Sequence, residues 1–589
     1  MAERLTKILD ACQRVSESRL RCFIIALVLS SLVIFVASAA WVPADANDDY
    51  AIGLALSGHW GAGDGRTLFV NVLLGNFIFF MNGSFPSLNW FVICELISSW
   101  LAYLVIIYLS LRHSSLPMAC LIVVGSSLLL IPGSTWSSNF TYVSLFSTIA
   151  GGMAIMYAIR EERLDMRLVV VGVAFLAFAS MMRIEVFLMC IPFYMLGAIS
   201  LLPMWQQGKR DARGLVRIVP MVLALCLGLG LFAVDRVLWQ EEPWKSWYDF
   251  NDARSIVEDF QTKDYDSISD ELSAIGVSEN DYAMVDNLWI EDSDFFTGEL
   301  FVQLDEIAPA DVFSLQHLGS SAISYAKRLS RTELLLFVIA MALVVGAFSL
   351  KRRRWFLLCL VALVLFIAVV FTALGRLPDR VHNPLWMFVI AIECVHSRQT
   401  DRPWSIEWTG HETKSVLASC ASFVSMAVPL VATAAIVFYA LSHYSAERLQ
   451  ATYAPSTYEP ESSLVEYYEE HPDNVFVQNQ LADRVIRFTY RMRGIAPHDV
   501  IYRSCSLGGW ATHSPYRMAQ YDSIGMENVI KGLVENENAL LVMGGSSEPT
   551  ELQTYLREHY YPECTYRHVD TIECPEVGVT LRVFDFDER

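Results

Sequence analysis

The sequence carries little charge for its length. Only 18% of its 589 residues are Asp, Glu, Lys or Arg, whereas 54% are hydrophobic, and the mean hydropathy is +0.37. A typical soluble domain carries about 25% charged residues. Basic residues are the scarcer kind, with 43 Lys and Arg against 63 Asp and Glu, which gives a net charge of −20. This composition predicts a membrane protein and argues against a nucleic-acid partner.

Short motifs for common cofactor and metal sites are also missing. The sequence contains no CxxC, HExxH, GxGxxG or P-loop pattern, so a dedicated zinc site is not expected. Most of the 12 cysteines stand singly in apolar runs and are interpreted as small hydrophobic residues. Cys564 and Cys574 differ, because the stretch between them is predicted to form strand, turn and strand. They are a disulfide candidate, with Cys505 as an alternative partner.

Long apolar runs dominate the rest of the chain. About 20 apolar residues are needed to cross roughly 30 Å of hydrocarbon. Eleven runs near that length predict membrane spans, at about residues 22–41, 87–111, 115–132, 140–159, 168–182, 186–203, 218–239, 333–350, 355–372, 383–397 and 415–441. A further run at 68–81 is shorter and contains Asn71, Gly75 and Asn76.

The basic loops predict the topology. If residues 68–81 do not cross the membrane, the loops at 160–167, 209–217 and 351–354 lie on the same side as the Arg-rich N-terminus. That arrangement obeys the positive-inside rule, and a crossing at 68–81 would violate it. We therefore expect 68–81 to be a re-entrant or interfacial helix. The N-terminus is predicted to be cytoplasmic and the C-terminus extracytoplasmic, in a multi-pass protein of the cell membrane.

The predicted fold is mainly α: a polytopic helical membrane protein with a small extracytoplasmic α/β domain. The predicted segments are a cytoplasmic N-terminus (1–21), an N-terminal membrane domain (22–239) with its first outer loop (42–67), an acidic extracytoplasmic insertion (240–332), further membrane helices (333–441) and the α/β domain (442–589). In the insertion, Ser278 and Asp281 predict a helix start. The acidic run at 291–294 is interpreted as a solvated face.

An acidic pair, Asp48 and Asp49, follows the outer end of the first predicted span. The next residues, with apolar side chains at alternate positions from Tyr50 to Leu56, predict an interfacial helix. One interpretation is catalytic, since a carboxylate within hydrogen-bond reach can accept a proton from an attacking hydroxyl. The other is structural, since acidic residues stabilise helix N-termini. The sequence leaves both open.

Together these features resemble the GT-C class of membrane glycosyltransferases, which take a sugar from a polyprenyl-phosphate carrier. The resemblance rests on the acidic pair Asp48 and Asp49, the apolar helix at 68–81, about a dozen spans and the outer C-terminal domain, and it covers residues 1–441 in organisation. It implies that Asp48 or Asp49 serves as general base or positions the acceptor. The implied partners are membrane lipid, a polyprenyl-phosphate-linked sugar donor and a glycan acceptor. A divalent metal ion at the acidic pair is left open.

A lipid-phosphate leaving group requires cations near the acidic pair. Guanidinium groups suit this role because their planar fork can bond two phosphate oxygens at once. For Arg183, pairing with Glu185 or reaching the headgroups is the competing interpretation. The candidates at predicted outer ends of spans are Arg66, Arg183, Arg376 and Arg380.

Three further residues are candidates for contact with the substrate. His382 lies in the same predicted outer loop as Arg376 and Arg380. His59 and Trp60 are expected to hydrogen-bond or stack on a sugar, although a tryptophan at this depth is commonly an interfacial anchor.

Two functions of other classes compete with glycosyl transfer. A transporter or flippase of lipid-linked glycans would need polar groups through several spans, and apart from Glu393 and a few Asn residues the predicted spans are apolar. A non-catalytic envelope scaffold would need only the outer domains. The scaffold predicts that Asp48 and Asp49 are dispensable.

Overall fold

The computed structural model describes most of the chain, and every structural statement below concerns the described residues. These are 18–39, 48–61, 63–86, 88–114, 119, 122–123, 139–161, 163–202, 216–260, 262–310, 312–331, 354–397, 462–490, 498–545, 548–575 and 578–588. Within them the protein is mainly helical, and its one sheet is formed by residues 475–588.

An apolar helical part comes first and is completed by two later helices. Its helices are α1 (Arg19–Ala39), α2 (Asp48–Ser57), α3 (Val72–Ser84), α4 (Trp90–His113), α5 (Phe140–Arg160), α6 (Met166–Met182), α7 (Ile184–Ser200), α8 (Val219–Leu238), α14 (Arg354–Ala373) and α15 (Asp379–His396). The helices numbered between α8 and α14 belong to the polar insertion.

Helix α5 is the centre of the helical part. All its residues from Phe140 to Ile159 are buried, and it packs against α4, α6, α7 and α15. Small residues allow this close approach: a Cβ added to Gly151 would lie 2.8 Å from the carbonyl oxygen of Gly172 on α6. Small residues at helix contacts are typical of membrane bundles, where packing drives association.

Three described helices are long and apolar enough to cross a membrane by length and composition: Trp90–His113, Phe140–Arg160 and Val219–Leu238. The shorter apolar helices are Val72–Ser84, Met166–Met182, Ile184–Ser200, Leu358–Ala373 and Leu385–His396. The predicted spans at 115–132, 333–350 and 415–441 lie outside the described residues, apart from 119, 122 and 123. The structure therefore supports membrane association, and a count of eleven spans stays a prediction.

The run predicted to dip or lie along the membrane forms helix α3. Its 13 residues rise about 20 Å, which is less than the roughly 30 Å of a hydrocarbon core. Asp235 on α8 caps its start, because Asp235 Oδ1 accepts a hydrogen bond from the Val72 amide at 2.7 Å. Leu73, Phe77 and Phe80 leave large apolar side chains exposed along it.

Helix α2 forms at the predicted position but not in the predicted surroundings. Every residue from Asp48 to Leu56 is buried within the protein. Tyr50 and Leu54 pack into the core of the polar part, whereas Ile52 and Leu56 pack against the apolar helices. The interfacial placement was therefore wrong, because protein rather than lipid covers both sides of this helix.

The polar insertion is a set of short helices: α9 (Trp244–Asp259), α10 (Ser269–Ala274), α11 (Glu279–Asp286), α12 (Gly298–Ile307) and α13 (Leu315–Arg331), with a 3₁₀ turn at Tyr265–Ser267. The predicted helix start is confirmed. Ser278 Oγ accepts from the Asp281 amide at 3.1 Å, and Asp281 Oδ2 accepts from the Ser278 amide at 2.9 Å. These two bonds form a capping box.

The C-terminal region is an α/β domain, as predicted. Its strands are β1 (Val475–Gln478), β2 (Ser504–Ser506), β3 (Ala539–Gly544), β4 (Cys564–Cys574) and β5 (Val579–Glu588), and its helices are α16 (Ser463–Glu470), α17 (Gln480–Tyr490), α18 (His498–Tyr502), α19 (Pro515–Ser523), α20 (Val529–Glu535) and α21 (Thr550–His559).

The sheet has the strand order β2-β1-β3-β5-β4. Strand β1 pairs in parallel with β2 and β3, whereas β5 pairs antiparallel with both β3 and β4. All four residues of β1 are buried, as expected for a central parallel strand covered on both faces. At four residues, β1 is too short for the alternation of a strand to be evident in the sequence.

The disulfide prediction was wrong. Cys564 and Cys574 are free and occupy the two ends of one 11-residue strand, β4, instead of facing each other across a turn. At about 3.3 Å per residue, their positions along the strand are far beyond the reach of a disulfide. The polar residues that suggested a turn surround a register shift between His568 and Asp570. Cys505 is also free.

The insertion and the α/β domain share one hydrophobic core. Trp247 of α9 packs at 5.7 Å from the ring of Tyr516 on α19, and Trp247 Nε1 donates to the Thr512 carbonyl at 2.8 Å. The run at 291–294 lies at this contact, and its interpretation as a solvated face was wrong for two residues: Glu291 is 3% exposed and Asp292 is fully buried. Asp292 Oδ2 accepts from the hydroxyls of Tyr555 and Tyr560, each at 2.7 Å.

Candidate functional site

A cavity of about 700 Å³ lies where the apolar helices, the insertion and the α/β domain meet. Residues of α2, α6, α7 and α8 line it together with residues of α9. The loop at 506–512, which follows β2, supplies residues of the α/β domain. Clefts between structural parts are the usual place for small-molecule sites, so this cavity is the candidate functional site.

The acidic pair divides into two different environments. Asp48, 8% exposed, lines the cavity as the first residue of α2. Asp49 is not among the lining residues, and its Oδ1 accepts a hydrogen bond from the Phe140 amide at 2.7 Å. Asp49 therefore holds the N-terminus of α5, a helix distant in sequence, instead of capping α2 alone. Only Asp48 is placed to meet a substrate in the cavity.

Arg183 also lines the cavity, and its position follows from the chain. It is the single residue between α6 and α7, and its amide donates to the Ala179 carbonyl at 3.0 Å. Its guanidinium lies 4.5 Å from the ring centroid of Phe140 and 5.2 Å from that of Phe69, and its Nε is 3.5 Å from Glu185. Arg183 therefore lies close to Glu185, as the competing interpretation required, and it also lines the cavity.

Arg376 lines the cavity but carries a close partner. Its Nη1 lies 2.5 Å from Asp259 Oδ2 at the end of α9, and its guanidinium lies 5.4 Å from the ring of Phe260. The two side chains are each 37% exposed, so solvent screens the pair. Arg376 therefore joins α9 to the segment before α15.

Three predicted substrate residues do not line the cavity. Arg66 bonds Asp64 at 2.7 Å and Glu241 at 2.6 Å, and its guanidinium lies over the ring of Trp244. His59 pairs through Nδ1 with Ser57 Oγ at 2.7 Å, within its own turn. His382 is fully buried against Tyr325, at 3.1 Å from its hydroxyl. The side chain of Arg380 lies outside the described residues.

Trp60 lines the cavity as part of an aromatic contact between the first outer loop and the α/β domain. Its ring stacks on Tyr516 at 5.7 Å and meets Trp510 at 6.1 Å. The guanidinium of Arg517 lies 4.2 Å from the Trp60 centroid. Trp60 is 4% exposed, so its ring stabilises the cavity wall and leaves little surface for stacking on a sugar.

Sequence reasoning missed the contribution of α9. Seven of its residues line the cavity: Tyr248, Asn251, Asp252, Arg254, Ser255, Glu258 and Asp259. Their spacing of three and four residues is the helical periodicity that places side chains on one face. A polar stripe with this spacing was visible in the sequence, but only the fold shows that it faces a cavity rather than water.

Glu258 is the most perturbed acid of this face. Its side chain is 2% exposed and forms an ion pair with Arg254, itself 7% exposed. Burial raises the pKa of Glu258 from 4.5 to about 7, and the Arg254 charge opposes that rise only in part. Glu258 Oε1 and Arg254 Nε have no hydrogen-bond partner among the described residues.

Arg236 is a second cation that sequence reasoning did not select. It lies in the last turn of the apolar helix α8 and lines the cavity. Its guanidinium lies 4.7 Å from the ring of Phe232 and 4.5 Å from the ring of Tyr248. Arg183 and Arg236 thus place two guanidinium groups at the ends of apolar helices.

One group of side chains among the described residues has a spacing that suits a metal ion. Asp281, Glu558 and His559 offer ligand atoms within 4.8 Å of one another, and they lie at the contact of α11 with α21, away from the cavity. His559 Nε2 is 2.8 Å from Asp281 Oδ1. Burial lowers the pKa of His559, but the Asp281 hydrogen bond and charge outweigh burial and raise it overall. Asp48 and Asp49 do not form such a group.

Comparisons of the chain with protein-family models, with curated proteins and with solved structures found no match. The functional assignment therefore depends on the residues and the geometry of the cavity.

Proposed function

We propose that the protein is a membrane glycosyltransferase that transfers a sugar from a polyprenyl-phosphate carrier to a glycan acceptor outside the cytoplasmic membrane. One observation carries the proposal: Asp48 and Arg183, contributed by α2 and by the junction of α6 and α7, line the same cavity at the edge of the apolar helices. A carboxylate and a guanidinium are the two groups that this transfer needs.

Asp48 is the proposed general base. The acceptor hydroxyl gives its proton to Asp48 as its oxygen attacks the anomeric carbon of the donor sugar. The bond between that carbon and the phosphate oxygen breaks, and the phosphate leaves with the bonding electrons. The buried setting of Asp48 favours this role, because electrostatic interactions strengthen where water is excluded.

Arg183 and Arg236 are the proposed phosphate ligands. The anionic leaving group must be stabilised by nearby cations, and both guanidinium groups line the cavity at the ends of apolar helices. The carrier tail would follow α8, which carries Arg236 in its last turn and exposes the apolar side chains of Leu223, Leu227 and Val234. Arg376 is assigned to positioning, because Asp259 already partners it.

The experiment compares two adjacent carboxylates in the full chain in nanodiscs, with transfer measured from a fluorescent polyprenyl-phosphate sugar. Asp48→Asn should lower kcat by 100-fold or more, since general base catalysis typically contributes about 10²–10⁴-fold. Asp49→Asn should lower the unfolding temperature instead, because it weakens the bond to the Phe140 amide.

Membrane levels and tryptophan fluorescence of both variants serve as the control for folding. Full transfer by Asp48→Asn would refute the proposal and favour a scaffold. Uptake of a lipid-linked glycan into vesicles without any glycosidic bond formation would identify a flippase.

A further inference from the structure

Helix α9 presents a polar face to the cavity that the base and the phosphate ligands do not use. Asn251, Asp252, Ser255, Glu258 and Asp259 lie on this face and line the cavity. The helix belongs to the polar insertion and not to the apolar helices. A second substrate that is soluble in water would contact this polar face.

The pair of Arg254 and Glu258 is incompletely satisfied. Arg254 Nη2 donates to Asn251 Oδ1 at 2.6 Å and Nη1 contacts Glu258, yet Arg254 Nε and Glu258 Oε1 remain without a hydrogen-bond partner among the described residues. Buried polar groups are nearly always bonded, and an exception in a cavity wall points to a ligand or water. One donor and one acceptor side by side complement a hydroxyl, which both donates and accepts.

The charges of this face select among ligands. Arg254 pairs with Glu258 and Arg376 pairs with Asp259, so with Asp252 the three acids of this face exceed these two cations by one. An anionic phosphate or uronic acid is repelled by such a surface, whereas neutral sugars are not. The phosphate ligands Arg183 and Arg236 belong to the apolar helices instead.

We propose that this face of α9 is the acceptor subsite and that it binds a neutral, polyhydroxylated sugar through Glu258, Arg254 and Asp252. The inference depends on the proposed function, since it assigns the second substrate of the same transfer. Glu258 accepts a hydrogen bond from one sugar hydroxyl, and Arg254 donates to the same or the adjacent hydroxyl. The donor sugar and its phosphate stay on the side of Asp48 and Arg183.

The test measures acceptor binding without any donor, so that it is independent of transfer. The full chain in nanodiscs is titrated with the methyl glycosides of glucose, N-acetylglucosamine and glucuronic acid, followed by saturation-transfer NMR. We expect a neutral glycoside to bind and the uronic acid to bind at least 10-fold more weakly. At pH 8, where the Glu258 carboxyl is charged, Glu258→Gln should weaken binding by about 10-fold, because a neutral acceptor replaces a charged one.

Asp252→Asn and Asp249→Asn form a matched pair on the same helix. Asp252 lines the cavity, whereas Asp249 bonds Lys245 at 2.5 Å on the exposed side and is not among the lining residues. Only Asp252→Asn should weaken glycoside binding, by about 3-fold or more. Because Asp252 is exposed, this variant keeps the test decisive if Glu258→Gln fails to fold.

Three results would overturn the inference: no binding of any glycoside, preference for the uronic acid, or equal weakening by Asp249→Asn. Failure of the proposed function looks different. In that case Glu258→Gln weakens glycoside binding as expected, but Asp48→Asn leaves every transfer assay unchanged.

Discussion

At the scale of single residues, adjacent or similar side chains have separate tasks because the fold gives them separate partners. Asp48 meets the cavity, and Asp49 meets the first amide of α5. Arg183 keeps access to the cavity, and Arg66 is enclosed by two carboxylates. The sequence indicates the type of each residue and its approximate position relative to the predicted membrane spans. It does not indicate the hydrogen-bond partners of these side chains, which lie up to 175 positions away along the chain.

Glu258 makes stability depend on pH in a predictable direction. The folded protein retains the Glu258 proton up to a pKa of about 7, whereas the unfolded chain loses it near 4.5. The folded state therefore binds more protons between these values, and stability falls as pH rises through that window and stays low above it. Glu258→Gln should remove this pH-dependent loss, so the stability of the variant should fall less between pH 5 and pH 8 than that of the wild type.

Thermal unfolding at pH 5 and pH 8, followed by tryptophan fluorescence, measures this effect. Glu271→Gln is the control, because Glu271 is an exposed acid of the same insertion. An unchanged pH dependence in Glu258→Gln would show that the carboxyl titrates normally in the folded protein.

At the scale of elements, helix α3 shows how the first outer loop is fixed. A Cβ added to Gly75 would lie 1.9 Å from the carbonyl oxygen of Gly65, so the backbones of helix and loop are in direct contact here. Gly83 on the same helix has nothing within 4 Å of such a Cβ. Gly75→Ala should destabilise the protein by about 2 kcal/mol, as overpacked sites do, and displace the loop that precedes it.

Gly83→Ala is the matched control and should be neutral or slightly stabilising, because alanine favours helix more than glycine does. The unfolding temperature measures the destabilisation, and the glycoside affinity measures the displacement of the loop. Equal behaviour of the two variants would contradict the close contact of loop and helix.

At the scale of the whole molecule, Asp292 joins the insertion to the α/β domain. It accepts from Tyr555, Tyr560 and, through Oδ1, Asn528 Nδ2 at 2.7 Å. The charge and hydrogen bonds of Asp292 add to burial and raise the pKa of both tyrosines, so the tyrosines stay protonated as donors. Asp292→Ala should remove the acceptor of these three side-chain donors and of the Asp294 and Phe295 amides, and lower stability by about 3 kcal/mol.

The measurement for Asp292→Ala is urea unfolding of the purified chain, with exposed Asp270→Ala as the comparison. Because the cavity lies at the same junction, glycoside affinity should fall together with stability. Loss of stability without any change at the cavity would show that the two parts hold their relative position by other contacts.

The sequence predicted individual helices better than it predicted how the parts of the protein pack together. Apolar runs and the Ser278 capping box located helices, since these signals are local. The burial of Asp292 and the cavity face of α9 were not predictable, because both depend on contact between the insertion and a domain more than 200 residues away. The disulfide prediction failed for a related reason: polar residues inside a long strand resemble a turn when pairing is unknown.

The most direct test of the shared cavity is an electron cryomicroscopy structure of the full chain in nanodiscs with an undecaprenyl phosphate. We expect phosphate density within hydrogen-bond distance of Arg183 and Arg236, with the lipid tail along the exposed side of α8 and Asp48 on the opposite side of the phosphate. Phosphate density bound elsewhere on the protein, with the cavity beside Asp48 closed to it, would contradict the assignment.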